Sequence, residues 1–206
     1  MIRVVKLGGS LFDLPQLPAR LRAWLAAQPP AHQVIVAGGG PLVEQVRSWH
    51  AGEAIDDEAA HWMCVDLLRV TARVLHAWLP EIPLVEDDRL LDSRIGKHGA
   101  TILGPARWMR HAEPGLAGTR LPSSWETTSD SIAGRLAAAL AADELVLLKS
   151  ALPRTPVDLR ALAAVGFVDP MMAQLSLELP PTRVVDLRAD PPVEIWLPRP
   201  GGEPIV

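Results

Sequence analysis

The sequence predicts an α/β protein built on a mainly parallel sheet, and three stretches carry that expectation. Ile2-Arg3-Val4-Val5-Lys6-Leu7 is a β-branched apolar run that passes directly into Gly8-Gly9-Ser10. Gln33-Val34-Ile35-Val36-Ala37 passes in the same way into Gly38-Gly39-Gly40. Glu144-Leu145-Val146-Leu147-Leu148-Lys149 is a third such run, with a lysine at its carboxyl end. Short apolar runs of this kind read as buried strands. Strand, glycines and helix follow one another twice near the start of the chain. That order implies parallel neighbours whose glycine loops share one sheet edge, the edge at which α/β sheets bind ligands.

The totals set bounds. At 206 residues the chain is long enough for one sizeable domain and short for two. The formal net charge of −4 carries no nucleic-acid footprint. One cysteine, Cys64, excludes an internal disulfide and a cysteine-based zinc site. No apolar run reaches membrane-spanning length and the first residues have no signal-peptide architecture, so a cytoplasmic protein without a membrane partner is expected. Lysine is scarce: Lys6, Lys97 and Lys149 stand against seventeen arginines. Where arginine does the general surface work, a retained lysine points to a need for a compact ammonium.

Taken in order, Leu14 to Ala27 is helical in pattern, with Leu17, Leu21, Trp24 and Leu25 on one face, and Gln28-Pro29-Pro30 stops it. Pro41 suits the first turn of a second helix that runs to His50. Asp56 to Leu79 is a long helix with Asp57 and Glu58 favourably placed against the dipole. Pro83 to Glu86 reads as a short strand, and Asp87 to Thr119 shows only a strand at Thr101-Ile102-Leu103 and a short helix at Ala106 to His111. Thr128 or Ser129 can cap a helix carrying Ile132, Leu136, Ala137 and Leu140. Asp158 to Ala164 and Met171 to Leu177 are short helices. Thr182 to Leu187, Val193 to Leu197 and Pro204 to Val206 read as closing strands. No repeat or linker divides the chain.

The chemistry concentrates at strand ends. Lys6 before Gly8-Gly9-Ser10 sets an ammonium beside bare backbone amides, a combination suited to phosphate. Lys149 ends a neighbouring strand, and Asp130 opens the helix that should pack on the same sheet. Phosphoryl transfer needs positive charge and amide donors around the transferred group, with a residue that orients the cations. Asp130 could pair with the lysines or sit on a Mg²⁺. The bland alternatives are an Asp130 serving the helix dipole only, and a Lys149 reaching to solvent. The six histidines have no zinc-binding spacing, so no metal ligand is expected among them. The Gly8-Gly9 loop has neither P-loop nor dinucleotide spacing.

Three motifs in this order resemble the amino acid kinase superfamily: Lys6-Leu7-Gly8-Gly9-Ser10, Val34 to Gly40, and Thr128-Ser129-Asp130-Ser131-Ile132-Ala133. The likeness spans roughly residues 1–185. It implies a three-layer αβα sandwich forming a single domain over 1–206, with an acceptor half at 1–120 and a nucleotide half at 121–206. Asp57-Glu58-Ala59-Ala60-His61-Trp62-Met63, Leu121-Pro122-Ser123-Ser124-Trp125 and Gly166-Phe167-Val168-Asp169-Pro170 resemble a narrower branch. That branch is the methanofuran-pathway kinases, which convert 5-(aminomethyl)-3-furanmethyl phosphate to its diphosphate with ATP. The resemblance implies ATP and Mg²⁺ as cofactors, a small-molecule phosphate acceptor, and a homo-oligomer. It implies Lys6 and Asp130 as catalytic residues, with Gly8, Gly9, Ser10 and Lys149 on the phosphates of ATP. Gly38, Gly39, Gly40, His61 and Thr128 would form the acceptor site.

One departure follows. Family members carry an Asp-Gly turn and a Gly-Met-x-x-Lys segment after the third strand. Here Lys149-Ser150 runs into Ala151-Leu152-Pro153-Arg154-Thr155-Pro156, and no lysine follows. The nucleotide half is therefore shortened. Lys149, Arg154 or Arg160 would have to substitute, or the chain is a catalytically idle binding subunit with this fold. A kinase for another phosphomonoester, a nucleotide or isoprenoid phosphate, is the third reading.

Overall fold

Alternation along β1 (Ile2–Leu7) decides how the layers assemble. Val4 joins one buried cluster and Val5 and Leu7 join the other, because successive side chains of a strand point to opposite faces. The same split holds for β2 (His32–Ala37) and β5 (Glu144–Lys149). Both faces of the sheet are therefore covered, which is the reason the middle residues of these strands are apolar on both faces. The computed structural model describes residues 1–52, 55–91, 93–95, 98–154 and 158–198.

The sheet has seven strands. Besides those three it contains β3 (Leu84–Val85), β4 (Gly99–Leu103), β6 (Thr182–Asp186) and β7 (Val193–Trp196), in the order β3-β4-β2-β1-β5-β6-β7. Every pairing is parallel except that of β6 with β7. In register, Lys6 lies opposite Val36 on one side and Leu147 on the other. The helices are α1 (Leu17–Ala27), α2 (Pro41–Ala51), α3 (Asp57–Trp78), α4 (Ala106–His111), α5 (Ser129–Ala139), α6 (Leu159–Ala164) and α7 (Pro170–Leu175). The first cluster packs α4, α5, α6 and α7 on the Val4 side, and the second packs α1 on the Val5 side. Helix α3 serves both, through Val65 and Leu68 in the first and Ala72 and Leu75 in the second. This is the three-layer αβα arrangement expected from the sequence.

Several expected boundaries shift. Gly9–Asp13 is a 3-10 turn, and α1 starts at Leu17 rather than Leu14. Pro15 has no amide to donate and disfavours helix in the residue before it, so the apolar pattern begins earlier than the helix does. The strand at 83–86 contracts to Leu84–Val85, while β4 extends back to Gly99. Helix α7 ends at Leu175. The closing strand expected at Pro204 to Val206 lies outside the described residues.

Opposite the glycine loops, at the amino end of the strands, the carboxylate of Glu144 sits between two guanidiniums. Arg3 Nε is 2.5 Å from Glu144 Oε2, and Arg183 Nε donates to Oε1. All three side chains are buried. The arrangement ties β1, β5 and β6 together at that edge, and none of the three charges is left unpaired, the condition for tolerating buried charge.

The two glycine loops touch each other. A Cβ on Gly9 would stand 2.6 Å from Gly40 Cα, and one on Gly38 would stand 2.7 Å from the Gly9 amide nitrogen. Gly40 also has φ of +57°, a conformation costly for residues with a side chain. Gly9→Ala is therefore expected to destabilise the fold by about 1–3 kcal/mol or more, as overpacking does. Gly115→Ala, where a Cβ meets nothing within 4 Å, should leave the melting temperature unchanged. Thermal melts of both variants check this; equal melting temperatures would contradict the close loop packing.

Candidate functional site

Residues Lys6 and Lys149 share the sheet face on which α5 packs. Lys6 has the parity of Val4, and Lys149 that of Leu145 and Leu147, all in the α5-side cluster. Both strands point their carboxyl ends at the amino end of α5. There Thr128 is the N-cap in a capping box with Ser131, which resolves the choice between Thr128 and Ser129. The cap fixes Asp130 in the first turn, and its carboxylate meets both ammoniums. Lys6 Nζ is 2.7 Å from Asp130 Oδ1, and Lys149 Nζ is 2.6 Å from Oδ2.

The two bland readings therefore fail. Asp130 serves more than the dipole, and Lys149 turns inward rather than to solvent. Lys149 also donates to the Phe167 carbonyl at 3.0 Å and stands 5.2 Å from the centroid of the Phe167 ring. Burial works against the charged form of Asp130, but the two ammoniums outweigh it and hold its pKa at about 2. Burial lowers the Lys6 pKa from the ordinary lysine value, with Asp130 opposing the shift. Asp130 faces two ammoniums, with Asp169 a further buried carboxylate acting on Lys6, so the capacity for an anion lies in the N–H groups that the ammoniums do not use.

An ammonium has three N–H donors. Lys149 directs one to Asp130 and one to the Phe167 carbonyl, and Lys6 is ion-paired with Asp130 Oδ1, so N–H groups remain on each for a further acceptor. The glycine loops divide their amides differently from what the resemblance implied. The Gly8 amide donates to the Leu148 carbonyl at 2.8 Å, and Gly38 donates to Leu7 at 2.8 Å. Both are ladder bonds of the sheet, so neither amide is a phosphate donor. The amides of Gly9 and Ser10 have no acceptor among the described residues. Gly8 and Gly38 contribute by closeness instead: a Cβ on Gly8 would be 2.9 Å from the Leu148 oxygen.

Beside this cluster opens a cleft of about 570 Å³. Gly9, Ser10, Gly39, Gly40, His61, Thr128 and Ser129 belong to its wall, whereas Lys6, Asp130 and Lys149 do not. The rest of the wall combines apolar Val43, Val65, Leu68, Ile132 and Trp125 with charged Asp13, Glu44 and Arg47. His61 is buried, its Nδ1 is 3.2 Å from the Ser124 carbonyl, and its Nε2 has no hydrogen-bond partner among the described residues. A carbonyl only accepts, so Nδ1 carries the proton; burial also lowers the His61 pKa. Cys64, read from the sequence as a core residue, is half-buried and on the cleft wall, and burial pushes its thiol up to about 11.

Sequence reasoning did not single out Asp169 as a site residue. It caps α7 and also accepts hydrogen bonds from the first turn of α5. An Asp before Pro signals a helix N-cap, but nothing in the sequence signals that its second oxygen serves another helix. Among the described residues no cluster of three His, Cys, Asp or Glu side chains could hold a metal ion, and no helix is long and apolar enough to cross a membrane.

With this geometry in hand, comparison with solved structures defines the fold as that of the amino acid kinases. The chain superposes on uridylate kinase from Archaeoglobus fulgidus with a TM-score of 0.62, covering 88% of this chain and 89% of that one at 15% identity. UMP kinase from Ureaplasma parvum matches at 0.60, covering 89% of each chain at 13% identity. UMP kinase from Bacillus anthracis matches at 0.60, with 91% and 88% covered at 13% identity. No protein-family model and no curated protein matches the sequence.

Replacing Asp130 by Asn leaves two buried ammoniums without their anion, a change that costs about 3–5 kcal/mol for buried pairs. Asp130 has its pKa below the unfolded value, so its stabilising contribution is full at neutral pH and is lost as pH falls towards 2. The stability gap between wild type and Asp130→Asn, measured by urea unfolding, should therefore be constant near neutrality and narrow in acid. A gap independent of pH would contradict the charge cluster.

Proposed function

We propose that the chain is an ATP-dependent small-molecule kinase that phosphorylates a phosphate monoester to a diphosphate. The observation that carries this reading is the Asp130 carboxylate bridging Lys6 and Lys149 beside two touching glycine loops. Its fold neighbours are kinases, and UMP, the acceptor in their names, is itself a phosphate monoester. In the reaction an oxygen of the acceptor phosphate bonds to the γ-phosphorus of ATP while the bond to the β–γ bridging oxygen breaks. ADP leaves, and no proton has to move, since the acceptor oxygen is already ionised near neutral pH.

That chemistry suits the residues present. Lys6 and Lys149 supply spare N–H donors and positive charge for the oxygens of the moving phosphoryl. The Gly9 and Ser10 amides add donors, and the amino end of α5 adds the positive end of its dipole. Asp130 keeps the two ammoniums apart and aimed. ATP fits this donor set. Mg²⁺ would be held through the phosphates of the nucleotide, because both Asp130 oxygens already face ammoniums. Mg²⁺ bound there neutralises charge on the β- and γ-phosphates.

On this reading residues 1–120 form the acceptor half and 121–206 the nucleotide half. The cleft takes the acceptor, with Gly39, Gly40, His61 and Thr128 on its wall. The apolar part of its lining favours a phosphomonoester with a flat or apolar body. Together with the motif likeness this makes 5-(aminomethyl)-3-furanmethyl phosphate the leading acceptor, ahead of a nucleoside or isoprenoid monophosphate. The idle-subunit reading rests on the missing downstream lysine. Lys149, a second ammonium on Asp130, supports the kinase reading over the idle one. The proposal extends to a cytoplasmic homo-oligomer, with exposed Met63 and Val70 on α3 available to an interface; mass in solution above one chain is the expected result.

Release of ADP against a panel of phosphomonoesters tests the activity. Lys6→Ala should lower turnover by at least about a hundredfold with folding intact, the scale of losing a positioned donor to transition-state charge. Lys149→Met should do the same. Wild-type turnover in either variant, or no detectable binding of ATP·Mg²⁺ at millimolar nucleotide by calorimetry, would refute the kinase reading.

A further inference from the structure

Asp169 does more than cap α7. Its Oδ1 accepts from the Met172 amide at 3.1 Å, as an N-cap should. Its Oδ2 turns to another helix. It accepts from the Thr128 amide at 3.1 Å, the Thr128 hydroxyl at 2.6 Å and the Ser131 amide at 3.0 Å. The residue is only 7% exposed. Two positions earlier, the Phe167 carbonyl accepts from the Lys149 ammonium at 3.0 Å. One short segment therefore grips both a lysine of the cluster and the helix turn that carries the bridging carboxylate.

A cap alone requires one oxygen, and serine or threonine would serve. A second buried carboxylate near Asp130 is costly, and burial together with the Asp130 charge pushes the Asp169 pKa up. The three donors from the first turn of α5 are what offset that cost. We propose that Asp169 is a positioning residue of the phosphoryl-transfer site: its Oδ2 seats the first turn of α5 so that Asp130 bridges Lys6 and Lys149. The catalytic consequence rests on the kinase reading; the positioning does not. Asp169 also acts on charge. The groups facing Lys6 are Asp130 from α5, Lys149 from β5 and Asp169 from the start of α7, and the two carboxylates both favour its protonated form.

Asp169→Asn keeps the size of the side chain, removes the charge, and cannot accept on both sides. Its kcat is expected to fall about 10- to 100-fold, the scale of a misplacement near 1 Å, with KM for ATP and acceptor changed less than about threefold. The alkaline limb of its rate profile should move to lower pH, because one of the two anions that hold the Lys6 proton is gone. A purely structural cap would lower the melting temperature and leave that limb in place. NMR of protein labelled with ¹³C-lysine reads the same effect without turnover, since the chain has only three lysines. The Lys6 midpoint should fall in Asp169→Asn whether or not any acceptor is phosphorylated, which separates failure of this proposal from failure of the kinase reading. If that variant does not fold, Thr128→Val removes the hydroxyl that donates to Asp169 and caps the Asp130 amide, and should lower kcat by at least about fivefold, the worth of one such hydrogen bond. An unchanged Lys6 midpoint in folded Asp169→Asn, or unchanged kcat in Thr128→Val, overturns the proposal.

Discussion

One carboxylate between two ammoniums sets the design of this protein. Two lysines cannot sit at the ends of nearby buried strands unless something cancels part of their repulsion and replaces the water they have lost. Asp130 does both, and it reaches them only because a helix amino end is aimed at the carboxyl edge of the sheet. The order of strands follows from this. Placing β1 beside β5 brings Lys6 and Lys149 to one edge, while β2 on the other side of β1 brings the second glycine loop against the first. The opposite edge repeats the device, one carboxylate between two cations, with Arg3 and Arg183 holding Glu144. Ammoniums at the working edge keep donors in reserve, whereas the guanidiniums at the other are engaged by carboxylates and by Pro29 and Gln28 oxygens.

Much of this was legible in the chain itself. Strand ends place Lys6 and Lys149 at one edge of a parallel sheet, and cap chemistry places Asp130 in a first helical turn. What sequence could not supply was the choice between pairing and solvation, because that depends on whether α5 packs over those strand ends. The amide of Gly8 is the instructive miss. From the motif it looks like a phosphate donor, but parallel pairing continues one residue beyond Leu7 and engages it with Leu148. The true reach of a ladder is set by the neighbouring strand, which a local motif does not contain. Asp169 was missed for a similar reason, since its second oxygen works across 41 residues of sequence.

The glycines matter chiefly for what they omit. Gly9 and Gly38 allow two loops from successive strand–helix units to meet backbone to backbone, and Gly9, Gly39 and Gly40 line the cleft without side chains. A phosphate bound there would meet donors held rigidly by the sheet, so little ordering would accompany its binding. The same closeness makes the loops intolerant of change. Rigidity of this kind is useful where a small displacement of the reacting atoms is expensive.

The missing downstream lysine then acquires a physical answer. On the kinase reading the site requires positive charge, and that charge need not come from a segment after β5 if the end of β5, next to Lys6, delivers it. Lys149 is delivered by β5 itself, on a residue whose neighbours in the strand are fully buried, and it is steadied by Asp130 and by the Phe167 carbonyl. The segment from Phe167 to Asp169 touches both halves of the cluster, holding Lys149 through the Phe167 carbonyl and the first turn of α5 through the Asp169 carboxylate.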